Sequence, residues 1–406
     1  MTTSHHDRAG CPAVDFTFIA PPAGPLDFFT QIDDLRATAT PAVRTAEAGG
    51  YWILTDAQAI REGLLRPELF SSQVITPTDP NPAFKWLPVM LDPPEHTKWR
   101  TVLAGYFSPS RIRGMATDQR RFANELIDAV QASGECDYIA SFGQHFPASI
   151  FLQIMGMPEE HLGQFMEWEH MILHPEPNSP NPDALRIAGM GAVVKYFSGL
   201  IAERRANPNP DAHDIVSDAL NWVIDGESVP DADLLNCLLL LFMAGLDTVT
   251  GQLSYIFHHL ATHPEDRSRI VADPSLIPHA VEELLRIYPI VQTSRKLTQD
   301  VDFHGCPMKA GDMAMFPLAA AGRDEAAFAD ALTLDFDRAD TRHHISFGAG
   351  PHRCLGAHLA RQELIIAIEE WHRRIPDYEI TGTPTEHKGG VYGIDNLRLR
   401  WKGGGQ

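Results

Sequence analysis

Between Ser228-Val229-Pro230-Asp231 and His263-Pro264 the chain is apolar on every face of a helical projection, and nothing else in it limits the fold so tightly. An amphipathic helix packs on one side, whereas a helix apolar all round has to be surrounded. Ser228 to Asp231 reads as a capping box with proline in the first turn. At 1.5 Å per residue, the roughly 30 residues that follow span about 45 Å, the width of a domain. The remaining elements are expected to wrap this helix. Apolar residues at three- and four-residue spacing predict further helices over 118–130, 159–173, 184–205 and 359–375. Short strands are predicted at Tyr51-Trp52-Ile53-Leu54, around Val301-Asp302-Phe303 and at Leu397-Arg398-Leu399-Arg400-Trp401. The expected class is mainly α, with small peripheral sheets. No repeat or Gly/Ser linker divides the chain, so residues 1–406 are expected to form one domain with a small β-rich lobe, and residues 1–15 to be unordered.

Charge and cysteine usage narrow the function classes. With 53 acidic against 33 basic side chains the net charge is −20, a field that repels phosphate backbones and anionic lipid. Nucleic acid is not an expected partner. The longest unbroken apolar run, 238–244, falls short of the roughly 20 residues of a membrane span, so a cytoplasmic protein with no membrane partner is expected. Cys11, Cys136, Cys237, Cys306 and Cys354 are odd in number and contain no Cys-x-x-Cys pair, which argues against a disulfide framework or a zinc knuckle. Two proline-rich stretches cannot be helical. His174 to Pro182 is an interdomain linker or the hinge of a lid, and Thr76 to Pro82 leads into Phe84, Trp86 and Leu87, either a binding surface or half-buried packing.

Three segments carry chemistry. In Phe347-Gly348-Ala349-Gly350-Pro351-His352-Arg353-Cys354-Leu355-Gly356, the glycines let the backbone turn tightly and lie against a flat partner. Cys354 at a helix start favours a thiolate. A free cysteine is ordinarily a small core residue, and a zinc site with His344 and His358 is the sharper competitor. A lone thiolate on a glycine-rich platform suits an axial haem ligand. Within the long helix, Ala244-Gly245-Leu246-Asp247-Thr248 opens a groove with two small residues and follows it with an acid and an alcohol. Threonine back-bonding with a local bend is the plain reading; room and a proton source for oxygen chemistry is the functional one. Glu283 and Arg286 share a helix face and, taken alone, read as a surface ion pair.

In this order and spacing, the three segments resemble the cytochrome P450 family of haem-thiolate monooxygenases over nearly the whole chain. The cysteine loop matches Phe-x-x-Gly-x-x-x-Cys-x-Gly at every fixed position, and Glu283 with Arg286 matches the family's Glu-x-x-Arg, which Arg338 would complete as a triad. Leu91-Asp92-Pro93-Pro94-Glu95-His96 adds a likeness to the camphor-hydroxylating bacterial branch. The resemblance implies a triangular, mostly helical fold. Haem b would be held by Cys354 on iron, by Phe347, Gly356, Ala244 and Gly245 around the ring, and by His96, Arg100, Arg295 and His352 on the propionates. Asp247 and Thr248 would deliver protons. Phe84, Leu240, Met243, Val291, Val391 and Tyr392 would line the substrate pocket, with Tyr392 either filling space or donating a hydrogen bond.

The resemblance also implies O2 as co-substrate and electrons from an iron-sulfur ferredoxin and its reductase, since no dinucleotide fingerprint is present. Arg100, Arg342 and Arg361 would steer the ferredoxin. A peroxide-using enzyme on the same fold and a haem- or zinc-based sensor are the competing classes; the acid–alcohol pair favours the monooxygenase. Because Phe84 has no hydroxyl where camphor hydroxylases carry tyrosine, the expected substrate is a compact terpenoid-like lipophile other than camphor. A fatty or aromatic acid paired with Lys85 is the runner-up.

Overall fold

The computed structural model describes residues 11–19, 24–82, 84–173, 181–209 and 211–402, with backbone alone at 182 and 183. The segments with helical apolar spacing are helices: Ala116–Gln131, Leu162–Leu173 behind a short 3-10 turn, Pro182–Ala206 and Ala357–Arg374. The longest is Asp231–Thr262, with 32 residues. It packs against His145–Met155, Pro182–Ala206 and the strand Gly393–Ile394, so most of its circumference is covered.

Its start differs from the expected capping box. Pro230 occupies the N-cap and no side chain caps the helix. Ser228 lies in the short strand Glu227–Ser228, and Asp231 is drawn instead into a two-point ion pair with Arg205. Contrary to the reading from unbroken runs, Ala184–Ala206 and Asp231–Thr262 are long and apolar enough to cross a membrane by length and composition; the central helix turns most of that apolar surface into the core.

The largest sheet has six strands in the order Ala13–Val14, Ala42–Thr45, Tyr51–Leu54, Met313–Pro317, Gln292–Leu297, Phe70–Ser71. Met313–Pro317 is buried at every position and pairs parallel with Tyr51–Leu54 and antiparallel with Gln292–Leu297. The other sheets have two or three strands, among them the predicted Val301–Phe303 and Arg398–Arg400.

Within the described residues, the N-terminal segment has two features that the sequence reading did not anticipate. Residues 11–15 are ordered in part, since Ala13–Val14 pairs in parallel with Arg44 and Thr45 and the Pro12 carbonyl accepts the Arg44 N–H at 3.0 Å. Cys11 is bridged to Cys306, 295 residues away. An odd cysteine count requires only that one thiol stay free, and chain spacing carries no signal for a pair this distant. Of the proline-rich stretch from His174 to Pro182, positions 174–180 lie outside the described residues.

The cysteine loop is anchored from behind by a buried carboxylate. Glu283 and Arg286, on the helix Ile277–Ile287, both have fully buried side chains and meet at 2.7 and 2.8 Å. This is no surface pair. Arg338 Nε reaches the same carboxylate at 3.0 Å, the Thr341 hydroxyl donates to it at 2.8 Å, and the Asp335 N–H adds a further bond at 3.0 Å. The two guanidiniums spend their remaining donors on the carbonyls of Gly322, Ala331, Thr333, Ala329 and Asp330. Burial works to raise the Glu283 carboxyl, but the Arg286 and Arg338 contacts overcome it and hold the group below its ordinary value. The irregular segment leading to the cysteine loop is thus tied to one charge. Removing a partner from such a buried pair costs about 3–5 kcal/mol, because the other charge is left uncompensated. Glu283→Gln and Arg286→Leu are therefore expected to lower the thermal midpoint sharply, read by calorimetry; variants as stable as the parent protein would contradict the anchoring role.

Candidate active site

The loop that presents Cys354 is shaped by two left-handed glycines. Gly348 has φ +72° and Gly350 φ +68°, and a Cβ on Gly350 would stand 2.5 Å from the Leu64 carbonyl oxygen, so no other residue fits there. The Cys354 N–H closes the loop on the Phe347 carbonyl at 2.7 Å, and the helix Ala357–Arg374 starts three residues later. Gly356, at φ −80°, is not needed for backbone freedom; its N–H serves the sulfur. The Cys354 thiol is free, reachable by solvent and ringed by protein. Burial raises its pKa, while the Gly356 N–H and the charges of Arg100, Arg353 and Arg361 pull it back down. Arg361 also lies over the Phe347 ring at 4.4 Å.

Beside the loop, four basic side chains converge from three elements. His96 and Arg100 stand one turn apart on the helix Glu95–Ala104, Arg295 comes from the strand Gln292–Leu297, and His352 from the loop itself. The His96 and His352 rings are 3.9 Å apart, and the buried His96 Nδ1 has no hydrogen-bond partner. Arg295 donates at 2.7 Å to both the Thr293 hydroxyl and the Ser294 carbonyl. Asp92 is near, but its carboxylate is engaged by the Ser71 hydroxyl at 2.5 Å and the Ser72 N–H at 2.8 Å.

Burial, then repulsion from Arg100, lowers His96 to about 4. Burial, then Arg295, His96 and Arg100, lowers His352 to about 2. Burial lowers Arg295 to about 10. A cluster that sheds protons for want of facing anions is built to receive negative groups. An accessible thiol on a glycine loop, a flanking basic cluster and an orphaned imidazole nitrogen together fit a flat, iron-bearing ring with two carboxylates.

The central helix carries the other residues singled out in the sequence. Leu240, Ala244 and Thr248 recur at four-residue spacing, Ala244 exposed and the other two partly so, with Leu241 and Gly245 beside them also partly exposed. The Thr248 hydroxyl donates to the Ala244 carbonyl at 3.0 Å, the back-bond expected of a helical threonine. Asp247 is buried, about 100° around the helix, on the face toward His145–Met155 and Leu162–Leu173. Gly245 and Met243 lie off the stripe. A Cβ on Gly245 would meet the Phe151 ring at 2.2 Å, so this glycine admits a neighbouring helix rather than a cofactor, and Met243 is buried one turn before Asp247.

Of the expected pocket residues, Val291 and Val391 face each other across a β-bridge and stay partly exposed. Tyr392 does not join them. Strand alternation turns it away: its ring stacks on Phe28 at 3.5 Å, its hydroxyl is bonded by Gln292, and the residue is buried. Neither role expected of it in the pocket, filler or donor, fits that packing. Phe84 stacks on Trp86 at 4.8 Å, and Lys85 is exposed. Thr293 went unnoticed in the sequence, although the alternation Val291, Thr293, Arg295 places its half-buried hydroxyl on the same strand face.

The residues of the competing zinc reading do not come together. His344 is buried against Glu282, His358 is exposed, and among the described residues no group of three or more His, Cys, Asp or Glu gathers to hold a metal ion. The steering arginines are also redistributed. Arg361 is locked onto Glu282 at 2.5 and 2.9 Å, and Arg100 is half-buried with a bond to the Arg353 carbonyl at 2.8 Å. Arg342 is exposed, and so is Arg353, which sequence reading passed over.

A free thiol on a loop shaped by left-handed glycines, with a basic cluster alongside and a long central helix in the core, is the architecture expected of a haem-thiolate protein. A family model described as Cytochrome P450 matches residues 151–371. The chain is 34% identical over 361 residues to the probable cytochrome P450 127A1 of Sinorhizobium fredii, covering 88% of this chain and 85% of that one. It is 30% identical over 408 residues to a methyl-branched lipid omega-hydroxylase of Mycobacterium tuberculosis, covering 93% and 94%. The crystal structures of CYP101J2 and CYP101C1 superpose with TM-scores of 0.88 and 0.86, each at 28% identity, covering 98% and 96% of this chain and 100% and 97% of theirs. The chain belongs to the cytochrome P450 family and is a cytochrome P450 monooxygenase, a family that implies a haem-thiolate cofactor.

Glu282 clamps the cysteine-loop helix through Arg361 and, at 3.0 Å, through His344. Burial works to raise its carboxyl, but the bonds from His344 and Arg361 win and hold it at about 2. A depressed carboxylate contributes stability that is full above its unfolded value and is lost as pH falls toward the folded one. The difference in thermal midpoint between the parent protein and Glu282→Gln is therefore expected to be largest near neutrality and to shrink between about pH 5 and 3. A difference that stays constant with pH would remove the clamp from the account.

Proposed function

We propose that Cys354 is the axial thiolate ligand of haem b and that the protein hydroxylates a small lipophile at an unactivated or allylic carbon. The observation that carries the ligand assignment is the Cys354 thiol, free and accessible on a loop whose glycine conformations present it beside the basic cluster. When bound, the haem supplies O2 activation at a thiolate-ligated iron. His96, Arg100, Arg295 and His352 offer the propionates their missing anionic partners. Thr248 commits its proton to the Ala244 carbonyl and offers its hydroxyl lone pairs, and Asp247 beside it delivers protons. Retention of this acid–alcohol pair favours O2 with electron delivery over peroxide use. Electrons come from a ferredoxin-type partner, for which Arg342 and Arg353 are the exposed cations near the cysteine loop. The continuous core that joins helices and sheets supports residues 1–406 acting as one domain.

Reduced under carbon monoxide, the parent protein is expected to show the absorption of a thiolate-ligated haem and Cys354→Ser to lose it. A thiolate-type spectrum that persists in the variant would move the ligand elsewhere.

For the substrate, Leu240, Val291 and Val391 offer apolar surface worth about 25 cal/mol per Å² buried, with little to orient a polar group besides Thr293. That pocket favours a compact terpenoid-like molecule, and the loss of Tyr392 as a donor strengthens selection by shape. The likeness to a methyl-branched lipid omega-hydroxylase keeps a longer branched chain as the second reading, and Lys85 is the exposed cation that would meet a carboxylate. Spin-state titrations should show terpenoid alcohols or ketones binding more tightly than carboxylic acids of equal size. Tighter binding of the acids, abolished in Lys85→Ala, would reverse the assignment.

A further inference from the structure

Asp247 has a second side. Away from the Thr248 stripe, it lines a cavity of about 160 Å³ together with Gln144, Glu169, His170 and Thr250 and the apolar Ala148, Met166 and Leu246. Three helices enclose it: the central one, His145–Met155 and Leu162–Leu173. At the outer end His170 is exposed; Glu169, next to it, is buried; Asp247, at the inner end, is buried as well. The Thr250 hydroxyl commits its proton to the Gly143 and Leu246 carbonyls, both at 3.0 Å, which leaves its lone pairs to accept from the cavity. The volume is room for a few water molecules, and the carboxylates, amide and hydroxyl around it are the polar partners such waters require.

We propose that protons consumed in turnover enter through this cavity, with Glu169 passing them from its His170 end to Asp247. Each turnover puts one oxygen atom of O2 into a C–H bond and releases the other as water, taking up two electrons from the redox partner and two protons from solvent. Glu169 touches neither substrate nor cofactor. It is a positioning residue, acting through Asp247 by accepting a proton at one carboxylate oxygen and releasing one to the waters on the Asp247 side, so its charge is restored after each passage. The inference rests on the reading of Asp247 as the proton donor to the Thr248 side.

The test uses the haem-loaded enzyme with a ferredoxin and its reductase, and the terpenoid that gives the largest spin-state change as substrate. Glu169→Gln is expected to lower kcat about tenfold or more with KM and the spin-state titration unchanged, and to raise the solvent deuterium isotope effect to that of Asp247→Asn. Proton uptake after a single reduction, followed with a pH-indicator dye, should slow in parallel. Glu169→Asp should recover most of the rate, and the double variant should be no slower than Asp247→Asn alone, as two residues on one route require. Parent-like kinetics in Glu169→Gln beside a slowed Asp247→Asn would overturn the proposal and leave the role of Asp247 standing. So would multiplicative losses in the double variant, or a loss in Glu169→Gln that comes with altered haem content and an unchanged isotope effect. A parent-like Asp247→Asn would overturn both.

Discussion

The carboxylate of Glu283, buried without access to water, holds together the part of the molecule on which the site depends. It receives Arg286 from its own helix, Arg338 and the Asp335 N–H from an irregular segment, and the Thr341 hydroxyl from just before the cysteine loop. Irregular chain cannot satisfy its own backbone, and here the two arginines use their outer donors to satisfy it, bonding five carbonyls between Gly322 and Thr333. One buried charge therefore substitutes for the secondary structure that this stretch lacks. The adjacent Glu282 does the same work one step further on, fixing His344 and Arg361 and with them both ends of the loop that carries Cys354.

On that fixed platform the site is organised by opposing electrostatic demands. Burial holds the pKa of the Cys354 sulfur above its ordinary value, and the Gly356 N–H with the charges of Arg100, Arg353 and Arg361 works against that rise. The basic cluster a short distance away needs negative charge, and in its absence burial and mutual repulsion drive the imidazoles of His96 and His352 toward neutrality. A ring bearing iron at its centre and carboxylates at its edge answers both. The central helix divides the remaining tasks by angle: Ala244 and Thr248 stay exposed or partly so, Gly245 admits Phe151, and Asp247 faces the cavity that holds Glu169. Successive residues about 100° apart let one short motif present an exposed face, a helix contact and a carboxylate lining a polar cavity.

What could be read from sequence was whatever is written at short range. The central helix, the amphipathic helices around it and the cysteine loop declare themselves by periodicity or by glycine spacing, and the structure has them where expected. Errors arose where two distant segments compete. The helix start at Asp231 obeys Arg205 rather than the local capping pattern. Tyr392 obeys Phe28 and Gln292, and the strand pleat sets it behind the pocket that its neighbour Val391 enters. Cys11 finds Cys306 across 295 residues.

The sequence by itself determined that the chain is mainly helical, that one helix is central and that Cys354 stands on a turning backbone, because propensity, periodicity and the need for φ > 0 are properties of neighbouring residues. Tertiary structure alone decided what the charges do. Glu283 with Arg286 is the same i, i+3 pair that decorates any helix surface until its environment is known, and its meaning changed from decoration to anchor when burial removed the water that would otherwise satisfy it. The same holds for the four basic side chains beside Cys354 and for Glu169 behind Asp247: their chemistry is a matter of what faces them, and that is set by how helices and strands far apart in the chain come to rest against one another.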